Sequence, residues 1–247
     1  MLILTALLLA APAVARDPRD ASRYAACLAT AGSEPALAIV EATRWRGAGG
    51  GVPARHCLAL AYLAQKQFAS AARELGGAAR DAEATRDPLT AELWGEAGVA
   101  ALAGGDAATA NNFLTSGIAA APGNAARAAL LTDRARALVE LKRLPEARTD
   151  LDAATRLDPE GADAWLLSST LARRQGDLKV AEASLIQAAR RAPDDADVQL
   201  EAGNIAAAQG RTDLARAAWT AAIAAAPGSP AAAAARAALS AGSASLP

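Results

Sequence analysis

Two consecutive stretches decide the reading: ADAWLLSSTLARRQGDLKVAEASLIQAARRAPDD at 162–195 and ADVQLEAGNIAAAQGRTDLARAAWTAAIAAAPGS at 196–229. Each is 34 residues long, and their features fall at matching positions. Pro193 and Pro227 stand near the ends, and Ala181 and Ala215 lie twelve residues before them. Leu185 and Trp219 follow those alanines by four, and Ala188 and Ala222 by a further three. Gly176-Asp177 and Gly210-Arg211 divide each stretch into two helix-length halves. Glycine takes the left-handed cap that ends a helix, and proline cannot continue one, so both punctuate a chain of helices.

The same layout extends toward the N-terminus. Row 128–161 carries Ala147, Leu151, Ala154 and Pro159, and row 91–124 carries Ala110, Leu114, Gly117 and Pro122. Row 52–85 joins through Leu58, Ala59, Tyr62, Ala71, Leu75 and Ala78, without the closing proline. Bulky residues near row starts (Trp94, Leu131, Trp165) are followed four later by small ones (Gly98, Ala135, Ser169). Small residues at crossing points let two helices approach closely, and the bulky residue of a neighbour fills the groove left there. Trp94, Trp165 and Trp219 are therefore read as core knobs. Arg134, Ser168 and Gln199 depart from the pattern, and extra residues precede rows 91–124 and 128–161, which predicts longer helices or looser turns there.

This arrangement resembles the tetratricopeptide repeat, a helix–turn–helix unit. The resemblance implies an all-α, right-handed superhelical solenoid over 52–229, in which one unit buries its apolar face only by stacking on the next. The composition agrees with the helical class. Alanine, the best helix former, makes up about 30% of the 247 residues, while aromatics number eight. Residues 16–51 then form a degenerate first repeat, with helices expected at Ala21–Thr30 and Pro35–Arg46. Gly47 to Gly51 is expected to be a flexible link. Ser229 and Pro230 start a capping helix over 230–240, and 241–247 is expected to be a disordered tail.

Residues 1–15 read as a secretory signal peptide, with an apolar run from Leu2 to Leu9 and the small-x-small sequence Ala13-Val14-Ala15 before Arg16. Cleavage after Ala15 and, for a bacterial chain, a periplasmic location follow as expectations, and no membrane span is expected after cleavage. The n-region lacks Lys and Arg. A net charge of −1 gives no electrostatic reason to expect nucleic acid as a partner.

The chemistry on offer is sparse. Cys27 and Cys57 are the whole thiol inventory, each on the first helix of its unit, and such helices are neighbours in a tetratricopeptide stack. Export and an even count favour one disulfide, which would contribute about 3–4 kcal/mol on a chain-entropy estimate. Two buried free thiols and a reactive pair are the alternatives. His56 is the single histidine, and it cannot pair with the adjacent Cys57 on a helix. Three possible ligands fall short of a zinc site, and Asp158, Asp194 and Asp195 sit where helix-capping acids belong. The expectation is thus a non-enzymatic chain with no cofactor and no metal.

Surface remains. In the resembling family the first helices line a concave groove that holds a peptide or partner helix. Carried onto this chain, the lining positions are Glu92, Val99, Leu102, Thr132, Arg136, Glu140, Leu166, Thr170, Arg173, Arg174, Leu200 and Asn204. Arg136, Arg173 and Arg174 suggest an acidic or C-terminal peptide, because guanidinium groups pair with carboxylates, and a solvated face is the competing reading. The expected function is a scaffold for a protein or peptide partner in envelope-complex assembly. The rivals are a thiol-dependent accessory factor in envelope redox or cytochrome maturation, and a self-associating structural protein or homo-oligomer.

Overall fold

Alanine-rich runs bounded by Pro, Gly and Asp form helices, and all regular structure among the described residues is α-helical. The computed structural model describes residues 18–243, with side chains over 20–241. The expected signal peptide and cleavage site lie outside these residues.

Two compact units divide the chain between Arg143 and Leu144. The N-terminal unit holds α1 (Pro18–Ser33), α2 (Pro35–Gly47), α3 (Gly51–Ala64), α4 (Phe68–Thr85), α5 (Thr90–Ala103), α6 (Ala107–Ala120) and α7 (Asn124–Glu140). In the C-terminal unit are α8 (Leu144–Leu157), α9 (Ala162–Arg174), α10 (Leu178–Arg191), α11 (Ala196–Ala208), α12 (Thr212–Ala225) and α13 (Pro230–Ser243). Within each unit a helix packs on the next, and alternate helices also touch: α1 on α3, α5 on α7, α9 on α11 and α11 on α13. That nearest-neighbour pattern is the mark of stacked repeats.

The extra residues before the two middle rows are absorbed by helix length. Helices α4 and α7 have 18 and 17 residues, against 14 in α3, α5 and α6. At the N-terminus α1 is longer than the expected 21–30. At the other end α13 continues to Ser243, three residues into the expected tail, because its alanines favour helix there. Residues 244–247 lie outside the described part.

The expected flexible link at 47–51 is corrected. The N–H of Ala48 donates to Arg44, that of Gly49 to Arg46 and that of Gly50 to Trp45, at 3.0, 3.1 and 3.0 Å. A Cβ on Gly50 would fall 2.5 Å from the Trp45 ring, so the segment is a closed, packed turn rather than a tether. Glycine serves close approach here as much as freedom.

Five hairpin turns, those from α3–α4 to α11–α12, repeat one geometry. Gly105, Gly176 and Gly210 have φ of +79°, +83° and +73°, and Lys66 and Lys142 take the same place at +57° and +62°. The following N–H reaches back five residues: Gln67 to Tyr62, Asp106 to Ala101, Arg143 to Leu138, Asp177 to Ala172 and Arg211 to Ala206, all at 2.8–3.0 Å. This is the Schellman closure of a helix C-terminus. Asp106 and Asp177 then cap α6 and α10 by accepting from Thr109 and Val180, while Asp195 and Ser229 cap α11 and α13.

Inside the hairpins bulky residues meet small ones. Leu114 of α6 lies where a Cβ on Gly98 of α5 would be, 2.5 Å from its Cγ, and Trp219 of α12 stands in the same relation to Gly203 of α11, at 2.3 Å. Leu58, Leu75, Leu114 and Leu151 are fully buried, and Trp94 and Trp219 lie in the core. Trp165 is a correction. It is only half-buried, its indole N–H donates to the Pro159 carbonyl at 3.0 Å, and the Arg191 guanidinium of α10 covers its ring.

Candidate functional site

The first helices carry the residues expected to line a groove, and each unit is described by itself. On the C-terminal unit Leu166 and Thr170 of α9 and Leu200 of α11 are half-buried. Arg173 of α9 is not an available cation. Its guanidinium donates from Nε to one carboxylate oxygen of Glu201 on α11 at 2.7 Å and from Nη2 to the other at 3.0 Å. Glu201 is 4% exposed, so this fork supplies the counter-charge that its buried carboxylate needs. Asn204 is likewise engaged, its Oδ1 accepting from the Trp219 indole N–H at 3.1 Å. Arg174 is exposed and has no ion pair among the described residues.

The N-terminal unit corrects two further positions. Thr132 is buried, and its hydroxyl donates to the Ala128 carbonyl one turn back at 2.9 Å, so the side chain faces the core. Arg136 is exposed and paired with Asp133 on the same helix. Arg136 belongs to the N-terminal unit and Arg173 and Arg174 to the C-terminal one, and two of the three already have acidic partners. Val99 and Leu102 of α5 are half-buried, and Glu140 of α7 is exposed.

The same unit holds an arrangement that residue-by-residue reading passed over. His56 of α3 is hydrogen-bonded through Nδ1 to the Tyr24 hydroxyl of α1 and through Nε2 to Glu96 of α5, the latter at 2.9 Å. A carboxylate only accepts, so Nε2 carries the proton that faces Glu96, and Nδ1 shares the other hydrogen bond with the Tyr24 hydroxyl. Burial, with Glu96 and Glu92 nearby, holds the Tyr24 phenol well above its ordinary range, which keeps it protonated. Glu92 also sits above the ordinary carboxylate value, first from partial loss of water around it and then from Glu96, with His56 opposing. The partners of His56 lie 32 and 40 residues away in sequence, not beside it at Cys57. The signal was present in the repeat, because residues near one row position become neighbours in adjoining units.

Cys57, next to His56, is joined to Cys27 of α1, with Cα atoms 6.2 Å apart across 30 residues. Both half-cystines are buried. Among the described residues no group of three His, Cys, Asp or Glu side chains could hold a metal ion. None of the helices there is long and apolar enough to cross a membrane.

The family model for the tetratricopeptide repeat matches residues 132–183 and 166–230. No curated protein matches the chain in sequence. Among solved structures it is similar to PilW, a widely conserved type IV pilus biogenesis factor, with TM-score 0.67 and 16% identity over 87% of this chain and 97% of that one. PilF of Pseudomonas aeruginosa gives 0.62 and 14% over 86% and 96%. A tetratricopeptide repeat protein from Parabacteroides merdae gives 0.53 and 19% over 69% of this chain and 64% of that protein. At these identities the likeness is one of fold. Residues 132–230 therefore carry tetratricopeptide repeats, and the described helices share the fold of those solved structures.

Proposed function

We propose that this chain is a non-enzymatic scaffold of the periplasm, which holds a protein or peptide segment against the inner face of its first helices during assembly of an envelope complex. The observation that carries the reading is the face shared by α9 and α11. Leu166 and Thr170 are half-buried on α9, Arg174 follows Thr170 by one turn, exposed and without an ion pair among the described residues, and Leu200 of α11 is half-buried against the cluster around Trp219. A preformed surface of this kind spares a partner the ordering cost of a flexible receptor. The internal pairing of Arg173 and Asn204 shifts the expected guest away from a strongly acidic peptide and toward one that is largely apolar with a single carboxylate. The fold likeness to a type IV pilus biogenesis factor supports an assembly role.

Photo-crosslinking tests the reading. A benzophenone side chain replacing Thr170 or Leu200 is expected to capture one and the same partner in envelope extract. The same probe replacing Lys179, on the exposed face of α10, is expected to capture none. Equal capture from all three positions discards the face, and capture of a second copy alone moves the assignment to self-association. Mass measurement of the exported chain decides the location, since cleavage after Ala15 leaves Arg16 as the first residue.

A further inference from the structure

We propose that α1 is a redox-released cap: with the Cys27–Cys57 bond intact it covers the α3 end of the N-terminal unit, and with the bond reduced it swings away and uncovers His56. This inference goes beyond the scaffold reading and does not depend on it.

The argument begins with how little else holds α1. Its buried side chains among the described residues are Tyr24, Cys27 and Ala31, with Leu28 half-buried beside them, whereas α5 buries most of its length. One of those three is the half-cystine itself. A second, Tyr24, is anchored through its hydroxyl to His56, the residue adjacent to the other half-cystine. A further attachment is the Arg23 guanidinium, 4.9 Å above the Trp45 ring of α2. A terminal helix with so small an apolar contact belongs to the low-stability end of a fold.

Release would open the side of the first core that Tyr24, Cys27 and Ala31 close, and would leave its α2–α3 contacts in place. Trp45, Ala38 and Ala42 of α2 share a core with Ala54, Leu58 and Ala61 of α3, and α3 packs on α4 independently of α1. Only Glu34 separates α1 from α2, so the swing is confined to one place in the chain. Of the two half-cystines Cys27 is the more open, 6% exposed against 0% for Cys57, and so it is the one a reductant meets first.

The chemistry needs a two-electron donor, a dithiol in the compartment. Its thiolate attacks the Cys27 sulfur and breaks the S–S bond, and Cys57 leaves as a thiolate and takes a proton. The second thiol of the donor then attacks the mixed disulfide, so that Cys27 also ends as a thiol and the donor as a disulfide. With α1 gone, Nδ1 of His56 loses its phenol partner, while Nε2 keeps Glu96 of α5.

Hydrogen exchange on the full chain, read by mass, is the test. A water-soluble phosphine serves as reductant in vitro, being oxidised to its oxide by the oxygen of water as the two thiols form. Reduction, verified by thiol alkylation, is expected to speed exchange of the amides of α1 by roughly ten-fold or more, while those of α5 and α6 stay as they were. The Cys27→Ser, Cys57→Ser double variant is expected to behave as the reduced protein does without any phosphine. Four results would overturn the inference: no disulfide in the untreated protein, no reduction under native conditions, unchanged exchange in α1 after full reduction, or loss of protection throughout α1–α7. Should the double variant fail to fold, the phosphine arm on the wild-type chain still decides.

Discussion

Lys66 and Lys142 occupy the left-handed position that Gly105, Gly176 and Gly210 fill in the other hairpin turns. A side chain there costs about 1–2 kcal/mol, which glycine avoids. Lys66→Gly and Lys142→Gly are each expected to raise stability by about 0.5–1 kcal/mol, since the flexible unfolded chain takes back part of the gain. Gly176→Ala is expected to lower it by about 1 kcal/mol even though an added methyl meets nothing within 4 Å, because the cost is in the backbone. Urea midpoints of the three variants at equal slope are the measurement. Gly203→Ala fails for the opposite reason, its Cβ colliding with the Trp219 ring, and a loss of about 1–3 kcal/mol is expected. Arg173→Ala strands the carboxylate of Glu201 in the interior, with a loss of about 2–4 kcal/mol. Changing the two together, Arg173→Met with Glu201→Leu, is expected to recover most of it. A double variant no more stable than Arg173→Ala alone would show that the charge pair is not what holds the two helices.

On the scale of helices, the inner face of α1, α3 and α5 gives the unit a pH response. Folding raises the pKa of Glu92 above its ordinary 4.5, so the folded chain binds that proton more tightly than the unfolded one. The resulting stabilisation is complete below about 4.5 and is lost as pH rises through the higher folded value. Glu92→Gln is expected to flatten this part of the stability profile and to leave the molecule at least as stable at pH 7. Denaturation at pH 4, 5.5 and 7 reads it, and an unchanged slope would remove Glu92 as the cause. Helices were also the scale at which the sequence spoke most clearly. Prolines, glycines and alanines in register locate the hairpins from α5 onward because local backbone chemistry sets those boundaries. The turns at Lys66 and Lys142 carried no glycine to announce them, yet packing of the flanking helices imposes the same conformation. The face itself was poorly readable. Whether Arg173 is free depends on Glu201 in the next repeat, and whether Thr132 points outward depends on the rotation of α7, neither of which a single row records.

For the molecule as a whole, each unit has cores that its own helices close. In the C-terminal unit, Ala231, Ala232 and Ala235 of α13 are buried, and Ala235 completes the cluster around Trp219 with Ala238 and Leu239 packed against it. A chain ending before Pro230 is expected to expose that cluster, bind an apolar dye more strongly and lose protection in α11 and α12. Equal dye binding and unchanged exchange would make α13 dispensable. Among the described residues, the main helix contacts within each unit join helices one or two places apart along the chain, and the disulfide spans 30 residues, about the length of one repeat. Such a construction has low contact order, and its parts are interchangeable in kind. Gain or loss of a complete hairpin through unequal recombination would therefore re-join matching surfaces, and lineages can vary the number of hairpins without redesigning what lies between them.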